Sequence, residues 1–86
     1  MKKLKILRNK LDKIDKKIIN LLSDRMKISK NIGIVKKENN ICITQNDRWD
    51  NIIDNIKKMC VDKDINPNFV LEIYDLIHKE SINNQK

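Results

Sequence analysis

A heptad stripe with one charged member constrains this chain more than any other feature. Taking every third and fourth residue from Leu4 gives Leu7, Leu11, Ile14, Ile18, Leu21, Arg25, Ile28, Ile32 and Val35, all on one side of a single long helix. A charge on an apolar seam is costly unless it is paired or lies beside water, so Arg25 marks either a polar pocket in the interface or a register-setting, snorkelling arginine. The seam predicts a first helix from about Lys3 to about Glu38, closed by the turn-forming pair Asn39-Asn40. Such a helix is about 50 Å long, whereas a compact chain of this size has a radius of gyration of about 12 Å. A protruding apolar seam needs a second chain, and an intertwined homodimer is the economical solution.

The rest of the chain is helical in character. One glycine, one proline and three aromatic residues among 86 argue against a sheet sandwich and for an all-α fold in one domain, residues 1–86. Asn39 to Asn46 reads as a loop in which Ile41-Cys42-Ile43 tuck inward, followed by a capping box from Thr44 to Asp47. A second helix then carries Trp49, Ile52, Ile53, Ile56, Met59 and Cys60 at helical spacing, as core positions, and ends between Val61 and Asp64. Asn66-Pro67 starts a third helix, a capping residue followed by proline at the first helical position. Its stripe, expected to be buried, runs through Phe69, Val70, Ile73, Tyr74, Ile77 and Ile82. The expected architecture is therefore one long N-terminal helix and two shorter ones.

The net charge of +7 calls for an anionic partner, but charge alone does not choose among nucleic acid, membrane surface and a small polyanion. The chain lacks zinc-finger spacing and has too few aromatics for a single-strand stacking platform, and Asp12, Asp15 and Asp24 intersperse the lysines of the first helix. No apolar run is long enough to cross a bilayer, and Lys5 and Arg8 break any signal-peptide core at the N-terminus. Neither a nucleic-acid nor a membrane partner is expected. Cys42 and Cys60 lack metal-ligand spacing and read as reduced thiols of a cytoplasmic protein.

Candidate site residues fall on the stripes. Lys36 follows Arg25 by three helical turns, so the two project from nearly the same face about 16 Å apart. Arg48 sits one turn before Ile52 at the mouth of the second helix's stripe. Counting fours from Ile73 gives Ile77, Ser81 and Gln85, a stripe that turns from apolar to hydrogen-bonding unless the terminus frays. His78, at that stripe's edge, reads as a partly exposed structural histidine. Arg8 lies about 25 Å from Arg25 and a quarter turn away, so only an antiparallel partner chain can bring its own copy to the site. Four cations and two neutral hydrogen-bonding groups suit a small dianion, since guanidinium forks fit carboxylates bidentately. No nucleophile–base pair, metal cluster or glycine-rich phosphate loop accompanies them. That set fits a binding module, or a reaction needing only conformational restraint and electrostatic stabilisation.

The ordered run Leu7-Arg8-x-x-Leu11-Asp12-x-Ile14-Asp15, then Ile18-Ile19-x-Leu21-Leu22-x-x-Arg25, Ile32-x-x-x-Lys36, Arg48, Ser81 and Gln85 resembles the all-helical, AroQ-type chorismate mutases over essentially the whole chain. The resemblance implies an intertwined dimer whose two active sites are each completed by the partner's first helix. It implies the pericyclic rearrangement of chorismate to prephenate in aromatic amino acid biosynthesis, with no cofactor, no metal and no covalent intermediate. By matching position, Arg8 from the partner, Arg25 and Arg48 would hold the substrate carboxylates with help from Ser81, while Lys36 and Gln85 would donate to the breaking ether oxygen. Two positions depart from the family pattern. Trp49 stands where a glutamate usually receives the ring hydroxyl, and Gln45 stands where an aspartate is common. These departures leave open isochorismate as substrate, with isochorismate pyruvate lyase activity as the nearest alternative reaction. A non-catalytic basic helical module is the alternative of another class.

Overall fold

A computed structural model describes all of residues 1–86 and contains three α-helices and no strand: α1, Lys2–Glu38, α2, Asn46–Lys63, and α3, Pro67–Gln85. α1 is one unbroken helix of 37 residues. At 1.5 Å per residue it spans about 56 Å, and it sets the long dimension of a molecule measuring 58 × 25 × 16 Å. The radius of gyration, 16.4 Å, exceeds the compact expectation of about 12 Å because the N-terminal part of α1 extends alone. Every residue from Met1 to Leu21 is exposed. No helix is long and apolar enough to cross a membrane.

Both turns are closed by left-handed residues other than glycine. Asn40 (φ 56°) follows α1, and the Ile41 N–H then donates back to the Lys36 carbonyl at 2.8 Å. Asp64 (φ 54°) ends α2, and the Ile65 N–H donates to the Cys60 carbonyl at 3.0 Å. Asn and Asp tolerate this conformation better than other side chains. The Asn66 side chain caps α3 by accepting from the Asn68 N–H at 3.0 Å, with Pro67 next in line as expected. The single glycine is thereby left for a different task, described below.

α3 packs against both other helices, and α2 reaches α1 only through it. A cleft consequently opens between the C-terminal half of α1 and the N-terminal half of α2, floored by α3. The apolar core of one chain is small: Ile56 and Cys60 are its buried apolar side chains, and the other buried side chains belong to Ser29, Ser81 and Gln85. Leu7, Leu11, Ile14, Ile18 and Ile28 of the seam are all about half exposed, between 49% and 59%.

Three sequence expectations need correction. Thr44 does not cap α2; the capping residue is Gln45, in extended conformation, whose carbonyl accepts from the Trp49 N–H at 3.2 Å without any side-chain cap. The helix thus begins one residue later than a Thr44–Asp47 box requires. Ile41 and Cys42 do not tuck inward, because the Asn40 turn sends the loop over the surface and only Ile43 is half buried. Met59, Phe69 and Ile73 are exposed as well, since a single chain has no further element to lay over them.

Candidate functional site

The cleft has a volume of about 360 Å³, in the range of small-molecule sites. It gathers Arg25 and Lys36 from α1, Gln45, Arg48 and Trp49 from the start of α2, and Ser81 and Gln85 from α3. Arg8 is not among them; it stands exposed on the free part of α1. Of the eight residues singled out in the sequence, one chain therefore brings seven together.

Two of the cleft's three cations are anchored by neutral groups. The Arg25 guanidinium donates to the Ser81 hydroxyl at 3.0 Å and lies 5.9 Å from the centre of the Tyr74 ring. Lys36 Nζ donates to the Ile43 carbonyl at 2.6 Å and to Gln85 Oε1 at 2.7 Å. An ammonium has three donors, so one remains for a ligand. Arg48 lies exposed at the rim. No carboxylate lines the cleft, and the chain's single salt bridge, Lys79 to Asp75, lies outside it. Three cations without an anionic partner, facing a half-enclosed cavity, constitute a site for an anion with more than one acceptor group.

The end of α3 is held against α1 by contacts that sequence reasoning did not find. Ser29, 3% exposed, donates to the Ser81 carbonyl at 2.8 Å and accepts from Gln85 Nε2 at 3.4 Å. Gln85 is thus gripped at both ends of its amide, by Ser29 and by Lys36. Asn84 donates to the Met26 sulfur at 3.2 Å, and Lys37 donates to the Lys86 carbonyl. Gly33 makes this docking possible. A Cβ built there would stand 2.5 Å from Gln85 Cα and 2.6 Å from its carbonyl oxygen, closer than any side chain can approach. The terminus of α3 is therefore docked and not frayed, with Ser81 and Gln85 both buried. A signal was present in the sequence: Arg25, Ser29, Gly33 and Lys36 follow one another at spacings of four, four and three, a polar and small-residue strip along α1.

His78 belongs to the cleft too, which its position at a stripe's edge did not announce. Its imidazole stacks on the Trp49 indole with ring centroids 4.0 Å apart and planes inclined by 19°. Trp49 is half buried and forms a cleft wall with Ile52, in place of the packed core position that its spacing suggested.

Comparison with known proteins is consistent with this geometry. The family model described as chorismate mutase type II matches residues 7–86. A chorismate mutase of Methanocaldococcus jannaschii is 29% identical over 87 residues, covering 99% of this chain and 88% of that protein. A bifunctional chorismate mutase/prephenate dehydratase of Buchnera aphidicola is 30% identical over 79 residues, or 92% of this chain, and one of Aquifex aeolicus is 37% identical over 59 residues, or 69%. The chain spans 20% and 16% of the lengths of those two bifunctional proteins. Among solved structures, a conserved hypothetical protein from Pyrococcus furiosus superposes with a TM-score of 0.79 at 31% identity, over 100% of this chain and 99% of that one. A family model that spans nearly the whole chain, taken together with an acid-free cationic cleft, assigns the protein: it belongs to the chorismate mutase type II family.

Proposed function

We propose that the cleft binds chorismate and catalyses its rearrangement to prephenate, feeding aromatic amino acid biosynthesis in the cytoplasm. The carrying observation is the gathering of Arg25, Lys36 and Arg48 on a cleft with no carboxylate to neutralise them. Chorismate brings two carboxylates, an ether oxygen and a ring hydroxyl. Arg25, steadied by Ser81, and Arg48 receive the carboxylates and hold the side chain over the ring in the folded, reactive conformer, a restraint that supplies much of the barrier reduction for a unimolecular step. The ether carbon–oxygen bond then breaks as a carbon–carbon bond forms, with no proton transferred and no group released.

Negative charge grows on the ether oxygen as that bond lengthens. The remaining Lys36 donor and the second N–H of Gln85 Nε2 are the groups to meet it, both held in place before substrate arrives. A prepositioned donor of this kind is worth about 3 kcal/mol of transition-state stabilisation. The reaction asks nothing of Cys42 or Cys60, which are free thiols.

The same reading completes the site from a second copy. Residues 1–86 act as one domain of an intertwined homodimer, in which α1 lies along the partner's α1, buries the seam and carries Arg8 into the other chain's cleft. Support comes from the half-exposed seam and from the smallness of the single-chain core. Two measurements test the proposal together. The purified protein is expected to convert chorismate to prephenate; a protein that binds no chorismate and forms no prephenate refutes the reading. Arg8→Ala and Arg25→Ala are each expected to lose at least a hundredfold in rate, as for loss of a principal charge contact. Unfolding and refolding them as a mixture restores one intact site in each heterodimer, hence about a quarter of parental activity at equal proportions. No recovery on mixing rules out the shared site.

A further inference from the structure

We infer that His78 is the group that accepts the substrate's ring hydroxyl, held for that task by its stack on Trp49; the inference rests on chorismate as the ligand. Once the cations take the carboxylates and the ether oxygen, the hydroxyl is the one polar substituent left. It needs an acceptor, and the cleft has few. The Ser81 hydroxyl already accepts from Arg25, and the Gln85 and Ile43 carbonyl oxygens already accept from Lys36, so the second lone pair of each sits on an oxygen drawn down by a cation and is a poorer acceptor; the Ser29 hydroxyl is engaged with Ser81 and Gln85. Trp49 carries only an N–H donor.

Two side chains of the lining that can accept a hydrogen bond remain uncommitted. Gln45 is exposed at the rim, with three side-chain torsions to immobilise, so ordering its amide costs rotamer entropy. His78 is half buried, forms no hydrogen bond or ion pair with the protein, and is fixed face-on against the indole at 4.0 Å. Stacking occupies the ring face and leaves the edge, where both nitrogens lie, free for hydrogen bonding. A neutral imidazole offers one lone pair on that edge. The hydroxyl proton is shared with it and not transferred, so the reacting bonds are untouched. Trp49 acts as a positioning residue, and His78 sets specificity by contact.

The test compares the full-length parent, His78→Phe and His78→Gln on chorismate and on the analogue in which hydrogen replaces the ring hydroxyl. Phenylalanine keeps a stacking ring and removes the lone pair. On chorismate, His78→Phe is expected to lose about tenfold in kcat/KM, the worth of one neutral hydrogen bond. On the analogue, it should match the parent within about twofold, by the same accounting. Glutamine, which restores an acceptor, should recover part of the preference for chorismate over the analogue, whereas Gln45→Ala should leave that preference unchanged. Equal losses on both compounds, parental rates on chorismate, or a Gln45→Ala variant that abolishes the preference would each overturn the assignment. A parent inactive on both compounds sinks the chorismate reading and this inference with it; a parent active on both, with a preference indifferent to His78, sinks this inference alone.

Discussion

Gly33→Ala is the substitution for which the structure and ordinary helix chemistry predict opposite signs. In an exposed helix interior, replacing glycine by alanine stabilises by about 1 kcal/mol, because alanine restricts the unfolded chain and favours the helix. Gly33 has ordinary helical geometry, since no glycine of the chain has positive φ, so nothing in its backbone opposes the change. The opposition comes from α3. The new Cβ would stand 2.5 Å from Gln85 Cα, 2.6 Å from its carbonyl oxygen and 3.0 Å from its carbonyl carbon. Carbon atoms rest about 3.5–4.0 Å apart, so the last turn of α3 must retreat by about 1 Å. The atoms in the way are backbone, which no rotamer change can clear. Overpacking of this kind costs about 1–3 kcal/mol, leaving a net destabilisation of about 0–2 kcal/mol after the helical gain. Catalysis should suffer more. A 1 Å retreat takes the 2.7 Å bond between Lys36 and Gln85 beyond hydrogen-bonding range and loosens Gln85 from Ser29. Displacement on that scale in a prepositioned site lowers rate by up to about a hundredfold. Thermal unfolding alongside steady-state turnover of chorismate decides the matter. A melting temperature raised by about 5 °C with full activity, the signature of a free helix glycine, would refute the close-approach argument.

The other predictions probe separate parts of the construction. Lys36→Ala should reduce turnover more than about a hundredfold, because it removes the donor proposed for the ether oxygen, and steady-state kinetics at parental rates would remove Lys36 from that role. Ser29→Ala should destabilise by about 1–2 kcal/mol by stripping a buried hydroxyl from Ser81 and Gln85, and should lower kcat more than it raises KM; chemical denaturation and kinetics measure both. Asn66→Ala removes the cap of α3 far from the cleft and should cost about 1 kcal/mol in denaturation with kcat unchanged. If a second copy covers the seam, as proposed, the melting temperature should rise with protein concentration, and a melting point independent of concentration across a hundredfold range would count against the dimer.

The helices were legible in the sequence because their signals are local. Apolar spacing, Asn39-Asn40 and Asn66-Pro67 place the three elements to within about two residues, the usual uncertainty at helix ends. The start of α2 was misread for a reason equally local: Thr44 and Asp47 have the spacing of a capping box, but the helix begins from Gln45, and spacing does not say which residue turns the chain. The gathering of Arg25, Lys36, Arg48, Ser81 and Gln85 was also legible, since each is a polar residue on an otherwise apolar stripe. What spacing does not reveal is contact between stripes. Ser29 and Gly33 are unremarkable within α1, and their roles exist only because the end of α3 lies on them. His78 and Trp49 are 29 residues apart, and nothing in either helix taken alone makes them stack.

Arg25 shows how the two kinds of information join. On its own helix it interrupts an apolar seam, a costly arrangement in a closed interface. In the folded chain its guanidinium is neither paired with a carboxylate nor left to bulk water; it is held by a neutral hydroxyl and set beside an aromatic face. Neutral anchors fix a cation's position without cancelling its charge, whereas a carboxylate at the same place would fix it and also satisfy it, leaving little attraction for a ligand. The same logic applies to Lys36, held by a carbonyl and an amide oxygen. An acid-free cleft keeps its cations unsatisfied until a ligand arrives; in the proposed reaction the substrate's two carboxylates complete ion pairs with Arg25 and Arg48 and together fix its conformation, while Lys36 keeps its charge for the ether oxygen.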